Sequence, residues 1–461
     1  MLNFFKLNDP NRLIIIFLVL LCLRGLLTFQ GLSITLFELK WLLLGQRSAE
    51  GFFMYKEIFD YTGPLSVFFY RIIDQIFGKS QHAHHVISTF WLFLNAIIFN
   101  SFLKKNKNFS ENNNLPALFF VLYAVAIPDF MVLSPQIMSL TFLLMGLSKV
   151  LDRIAGETTD VLFLYTGIHV GIATLFYPPA IIYFFIFLIS FFLFSSSKLR
   201  RIGLYFNGFL IPLVLISCFF YWNDNGSYAW HALVNRGLFG QEINYLSKIK
   251  NYYSFRIPIF IGSAAMVITL LSNYFTSFQN KAAQVMLLMV IGASIVIWLD
   301  IETSPVQMLY FVPSLTFFLV HLMLMLSKVW IKRLVPLMIV GVLILAPYLN
   351  YDQLNTNGMI VKKGIDKSSK MRIMLLSDNL SILHGQELAS PFLDAQLSKE
   401  KIASLDDSVF AQMLIKVIKQ APPSVIIDDW MLIPKIFSAF PELSKEYRKQ
   451  KRGYYVRINN N

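Results

Sequence analysis

Apolar stretches close to the ~20 residues a helix needs to cross a bilayer recur along this chain and limit its fold more than any other feature. They fall near residues 12–29, 83–103, 115–130, 132–148, 161–177, 180–196, 202–222, 257–275, 283–299, 306–326 and 333–349. Composition agrees: 56% of residues are hydrophobic and 15% charged, against ~45–50% and ~25% in soluble domains. An ordinary soluble enzyme, a disordered chain and a disulfide scaffold are excluded. Cys22 and Cys218 both lie in apolar runs, so neither a disulfide nor a cysteine-based zinc site is expected. Arg24 interrupts the first stretch and no small-x-small cleavage motif follows, so that stretch reads as an anchor rather than a cleaved signal. The expectation is a polytopic α-helical membrane protein of about eleven transmembrane helices.

Charge divides the chain in two. Residues 350–461 hold 28 charged side chains and the first 349 residues hold 39. The boundaries that follow are a membrane domain over 1–349 and a soluble tail over 350–461. The net charge of +13 would suit nucleic acid, but in so apolar a chain Lys and Arg first report topology. No nucleic-acid module is visible. With a cytoplasmic N-terminus, the inner loops include Lys104–Lys107, Lys149–Arg153, Lys198–Arg201 and Lys328–Arg333. The short outer turns at Pro128-Asp129, Tyr177–Pro179 and Asp300–Pro305 carry no Lys or Arg, as the positive-inside rule requires. An odd number of spans then puts two long loops, about 30–82 and 223–256, and the tail on the outer side.

Pro64–Phe77 (PLSVFFYRIIDQIF) is too short to span, and its apolar residues recur at helical spacing. It reads as an amphipathic helix lying at the membrane surface, started by the turn at Thr62-Gly63-Pro64. In the tail, MRIMLLSDN, PPSVIIDDW and GYYVRI read as strands and Asp407–Gln420 as a helix, so a small α/β unit is expected. Asp428-Asp429 at a strand end reads as a helix start, and Lys445–Arg452 as a solvated helix face.

No GxxxxGK[ST], GxGxxG, HExxH or Cys-rich cluster is present. The loop after the first span does carry an ordered set of residues: Glu38 in FELK, then Gly51, Tyr55, Glu57, Ile58, Asp60, Gly63, Pro64 and Leu65, and finally Phe77-Gly78. That order resembles the GT-C superfamily, the integral-membrane glycosyltransferases that use lipid-phosphate-linked sugars. The likeness is strongest over roughly residues 30–105 and topological beyond. The tail is similar to those of membrane glycosyltransferase-like proteins from the Bacteroidetes.

The resemblance implies transfer of a sugar from a polyprenyl-phosphate donor to a glycan, lipid or protein acceptor on the outer face of a bacterial inner membrane. It implies Glu38 as the acid nearest the chemistry and Asp129, in IPDFMVLSP, as a second outer acid. Both are expected to be catalytic. Glu57 and Asp60, spaced i, i+3, would share a face if their segment were helical and bind acceptor or a divalent metal such as Mg or Mn. Lys56, Arg236 and Arg256 are the candidates for offsetting phosphate charge, and Tyr310 is a polar candidate in the late outer loop. The local alternative for Glu38 is an ion pair with Lys40 or Arg47. His82, His84 and His85 form an H-A-H-H cluster at the start of the second span, a pattern more often interfacial than metal-binding. Arg24 either snorkels or faces a cavity or partner. The sequence departs from the superfamily in having a single Glu where an Asp, often in an Asp-Glu pair, is usual. It also has no cation in ETSPVQMLYFVP. A catalytically inactive scaffold for an envelope or secretion complex, with protein partners there, is the alternative, and a transporter is a third reading.

Overall fold

The computed structural model describes the chain except residues 1, 6–8, 10, 30–33, 110, 196–198, 241–254, 273–274, 300–303, 357–360, 362–370, 404–407 and 459–461. Much of the second long loop, and Lys198, Asp300 and Asp407 of the readings above, lie outside the described residues. The chain is mostly helical and divides into two compact units. One comprises Met1–Leu32, His84–Cys218 and Gln241–Gly358; the other comprises Ser33–Ala83, Phe219–Gly240 and Met359–Asn461.

The first unit consists of apolar helices. Among the described residues, five helical stretches are long and apolar enough to cross a membrane by length and composition: Gln81–Lys105, Leu199–Trp222, Ser277–Leu299, Pro305–Met325 and Val329–Pro347. Shorter apolar helices run over Leu115–Val125, Val161–Phe176, Pro178–Phe194 and Arg256–Leu271. Three apolar runs do not continue as one regular helix. Prolines interrupt them with 3-10 turns at Pro128–Met131, Pro178–Ile181 and Pro305–Phe311, because a ring at the first helical position lacks the N–H that would extend the ladder backwards. The Leu115–Val125 helix is buried on every face, as befits the centre of a bundle. Two helices meet backbone to backbone where Gly167 lies over Tyr205 and Gly208 over Leu164: a Cβ on either would come within 2.1–2.2 Å of a carbonyl oxygen. Small residues permit such close crossings in membranes.

The second unit is assembled from segments far apart in sequence. Its first part is a helical hairpin, Leu36–Ala49 and Pro64–Phe77. Thr35 caps the first helix by accepting from the Glu38 amide, and Gly63-Pro64 starts the second. The two pack through stacked Trp41 and Tyr70, 6.3 Å between centroids. The Pro64–Phe77 helix is amphipathic: Val67, Tyr70 and Ile73 are buried, while Phe68, Ile76 and Phe77 are exposed.

The tail carries a five-stranded sheet: β1 (Arg372–Leu376), β2 (Glu387–Leu388), β3 (Val425–Asp428), β4 (Tyr447–Lys451) and β5 (Tyr454–Arg457), in the order β2-β1-β3-β5-β4. The first three are parallel, and β5 runs antiparallel to β3 and to β4. Helices Ala395–Ala403 and Ser408–Gln420 fill the crossover from β2 to β3, since parallel neighbours need such a connection. The basic run expected as a helix face is instead mostly the edge strand β4. Gly453, at φ +70, closes its hairpin so tightly that a Cβ there would meet the Asp428 carbonyl at 2.5 Å. Local charge pattern gave way to strand pairing. Asp428 does begin a helix: its carboxylate accepts from the Leu432 and Ile433 amides at 3.0 and 2.7 Å.

Backbone hydrogen bonds tie the loop to the tail. The Phe59 amide donates to the Pro391 carbonyl at 2.7 Å, and the Asp394 amide to the Phe59 carbonyl at 2.9 Å. The third segment joins through Asn225, whose amide group donates to the Met54 carbonyl at 2.7 Å.

Candidate functional site

Glu38 lies in the first turn of the Leu36–Ala49 helix and is buried, with 1% of its surface exposed. Its Oε2 accepts from Gln81 Nε2 at 3.1 Å. Of the neighbouring cations, Lys40 pairs with Asp60 at 2.7 Å and Arg47 with Glu50 at 2.7 Å. The second of these pairs is buried deeply enough on the arginine side that desolvation lowers the Arg47 pKa, Glu50 opposing the shift.

Asp60 uses both carboxylate oxygens inside the unit, Oδ2 on Lys40 and Oδ1 on the Thr62 amide at 2.7 Å. Glu57 accepts from the Phe53 amide at 2.8 Å. Their segment is not helical but a succession of turns and bridges, so the shared face that i, i+3 spacing would give does not form. Tyr55 holds a left-handed φ of 70° there, and its hydroxyl donates to the Thr62 carbonyl at 2.7 Å. Burial raises the Tyr55 pKa, with Asp60 adding to the shift.

Arg236, at the end of the π-helical turn His231–Arg236, is buried and paired with Asp394 at 3.4 Å, and donates to Gln396. Tyr61 lies between two cations, with Lys40 4.5 Å and Arg236 5.9 Å from its ring centroid. The structure thus brings Lys40, Asp60, Tyr61 and Arg236 together. Of these, sequence reasoning singled out only Asp60 and Arg236 as site residues. Lys56 donates weakly to the Asp224 carbonyl at 3.4 Å and lines a cavity of about 350 Å³ with Glu57 and Lys416.

A larger cavity of about 670 Å³ opens beside the Glu38 partner Gln81, between the Leu36–Ala49 helix and the β2 region of the tail. Gln46, Glu50, Asp74, Lys79, Arg372 and Gln386 supply much of its polar lining. None of these was expected as a site residue. Only Asp74, one of the two charged residues in Pro64–Phe77 with Arg71, carried a local signal.

The remaining candidates belong to the first unit. Asp129 is buried in the Pro128–Met131 turn, which packs against the Pro305–Phe311 turn that carries Tyr310. The Tyr310 ring is fully buried, stacked on Tyr177 at 5.9 Å and tilted against Tyr183 at 5.6 Å. Arg256 is exposed at the start of its helix, and the preceding Phe255 meets Phe130 edge-on at 5.9 Å. The elements bearing Asp129, Tyr310 and Arg256 therefore converge at one end of that unit. Arg24 joins them without snorkelling. Its guanidinium is buried and donates to Thr89 Oγ1 at 2.7 Å and to the Phe130 carbonyl at 2.9 Å, next to Asp129.

Among the described residues, no three His, Cys, Asp or Glu side chains converge as a metal site. Asp60, already bridging Lys40 and a backbone amide, does not fit the role of metal ligand.

No protein-family model and no curated protein matches the chain. Solved structures do. The archaeal oligosaccharyltransferase AglB from Archaeoglobus fulgidus, in complex with an inhibitory peptide and a dolichol-phosphate, aligns with a TM-score of 0.50 at 12% identity, over 97% of this chain and 74% of that one. ArnT from Cupriavidus metallidurans, bound to undecaprenyl phosphate, aligns with a TM-score of 0.50 at 12% identity, over 94% and 87%. At such identity the likeness is one of fold alone.

Proposed function

We propose that the protein is a membrane glycosyltransferase that moves a sugar from a polyprenyl-phosphate carrier to an acceptor at the outer face of a bacterial inner membrane, with Glu38 as base. The observation that carries this reading is the position of Glu38: a buried carboxylate in the first turn of the Leu36–Ala49 helix, steadied by Gln81. Both solved structures of similar fold hold polyprenyl phosphates, which supports the class of donor. The second unit also combines loop 33–83, segment 219–240 and the tail, the parts that charge distribution assigns to the outer side. About eleven helices cross in this reading, and Pro64–Phe77 rests on the membrane with Phe68, Ile76 and Phe77 toward lipid.

In the reaction, an acceptor hydroxyl loses its proton to Glu38 as its oxygen bonds to the anomeric carbon. The bond from that carbon to the phosphate oxygen breaks, and the lipid phosphate leaves with its negative charge. Arg256 and Lys56 are the cations assigned to that charge. Arg236, whose charge Asp394 already balances, holds the 219–240 segment against the tail. Asp129 and Tyr310 are further candidates for contact with substrate. In purified protein supplied with polyprenyl-phosphate sugars, Glu38→Gln should slow transfer by about 10²–10⁴-fold while leaving the thermal midpoint near wild type. Turnover at the wild-type rate would remove Glu38 as the base. No turnover by the folded wild type across a panel of donors would remove the enzyme reading.

A further inference from the structure

Arg12 and Arg24 both lie on the buried side of the first apolar helix, Asn11–Phe29, with Ile16, Leu20, Leu23 and Leu27. The helical rise sets them about 18 Å apart along the axis, toward opposite ends. Their surroundings differ. Arg24 is bonded to Thr89 and to the Phe130 carbonyl. Arg12 is only 8% exposed, yet among the described residues its Nε and Nη1 are sealed from solvent without a hydrogen-bond partner. Nη2 makes no hydrogen bond either and is not among the sealed atoms, so it is the nitrogen that reaches the surface. The Phe4 ring covers the guanidinium, 4.5 Å from its carbon. A charge withdrawn from water normally has an anion or a set of acceptors to compensate it, and buried donors normally have partners. Arg12 has neither within the described chain.

The groups beside Arg12 add to its positive charge. The Arg12 amide and Asn114 Nδ2 both donate to the Asp9 carbonyl, at 3.2 and 3.1 Å, which places Asn114 next to Arg12. Lys104 Nζ donates to Asn114 Oδ1 at 2.5 Å. Asn114 is also the N-cap of Leu115–Val125, so the positive end of that helix dipole faces the same place. The Asp9 carboxylate accepts from the Asn11 amide at 2.9 Å. Two cations and a helix start thus share the end of the first unit away from Asp129.

A guanidinium with its fork unused matches the paired oxygens of a phosphate. The apolar residues next to it favour a lipid as the source of that phosphate. Ile14, Leu18 and Leu21, exposed at 59, 53 and 42%, follow at i, i+4, i+7 spacing and form a strip along the same helix, long enough to lie against an acyl chain.

We propose that Arg12, with Lys104 and the start of the Leu115–Val125 helix, binds the phosphate of a membrane phospholipid in the leaflet away from Asp129. In the proposed topology that leaflet is the cytoplasmic one. The site depends neither on that orientation nor on glycosyl transfer.

The test is the thermal midpoint of the purified full-length protein, delipidated in neutral detergent, before and after adding phosphatidylglycerol, diacylglycerol with the same chains, or inorganic phosphate. Phosphatidylglycerol should raise the wild-type midpoint, as a ligand of the native state does, and diacylglycerol should not. Arg12→Met removes the uncompensated charge at similar length. Without lipid it should be at least as stable as the wild type. With phosphatidylglycerol it should be the less stable of the two, so their order reverses. Native mass spectrometry should show its phosphatidylglycerol binding weakened about ten- to hundredfold. Arg12→Lys, which keeps the charge without the fork, should lie between them. Lys328→Gln, which removes a charge at an exposed position, should respond as the wild type does. The same order of wild type and Arg12→Met in every condition, or an equal loss in Lys328→Gln, would overturn the proposal. A full rise with inorganic phosphate alone would overturn the lipid as its source.

Discussion

Lys40 Nζ lies 2.7 Å from Asp60 Oδ2, and both side chains are almost wholly removed from solvent. This pair fixes the loop 50–63 onto the Leu36–Ala49 helix two residues from Glu38. Breaking a buried pair by removing one partner leaves the other charge uncompensated and costs about 3–5 kcal/mol. Asp60→Ala should lose that much and more, since the Thr62 amide loses its acceptor as well. Lys40→Met should fall near the lower end. The double variant Lys40→Met/Asp60→Leu should be less destabilised than the sum of the single variants, as read from unfolding in detergent. Additive losses would show that the two residues are not energetically coupled.

The crossing of Val161–Phe176 with Leu199–Trp222 tolerates no side chain at Gly167 or Gly208. Gly167→Ala would bring a methyl within 2.1 Å of the Tyr205 carbonyl oxygen, and Gly208→Ala within 2.2 Å of that of Leu164. Backbone cannot swing aside as a flexible side chain can, so each should cost at least the ~1–3 kcal/mol of an overpacked core. Gly203→Ala on the same helix meets nothing within 4 Å and serves as the control. Thermal midpoints for the three variants separate the effect of close packing from that of helix propensity.

The helices were legible wherever the signal is local. Apolar runs announced the helices of the first unit, and Thr62-Gly63-Pro64 announced the start of the amphipathic helix. Legibility failed where distant partners decide. Lys445–Arg452 is polar enough for a solvated helix, yet pairing with Tyr454–Arg457 makes most of it a strand. Glu57 and Asp60 have helical spacing, but Asp60 is captured by Lys40 and Glu57 by its own turn. Gln46 and Gln386 are unremarkable in sequence. They come together only where the Leu36–Ala49 helix and the turn before β2 close around the same cavity.

Arg24 supports the turn that carries Asp129. One guanidinium nitrogen donates to Thr89 Oγ1 and the other to the Phe130 carbonyl, a forked geometry that an ammonium cannot reproduce. Arg24→Lys should therefore destabilise the protein by about 1–3 kcal/mol through the polar group it leaves unpaired. If Asp129 acts in transfer, the rate should fall with it. Arg24→Leu should be worse, because it strips both acceptors. A lysine variant with wild-type midpoint and rate would show that charge alone suffices at this position.

Asp74 makes stability depend on pH in a direction that can be worked out. Its pKa is raised from the ordinary 3.8, first by burial and then by nearby Glu50, with Lys79 opposing. Between the unfolded and folded values the native state therefore holds more proton than the unfolded chain, so stability declines as pH rises through that interval. Below 3.8 the contribution is intact; above the folded pKa it has been lost. Asp74→Asn keeps the shape and stays neutral throughout, so its thermal midpoint should match wild type near pH 4 and exceed it at pH 8. An advantage confined to low pH would mean that Lys79 stabilises the carboxylate more than burial and Glu50 penalise it.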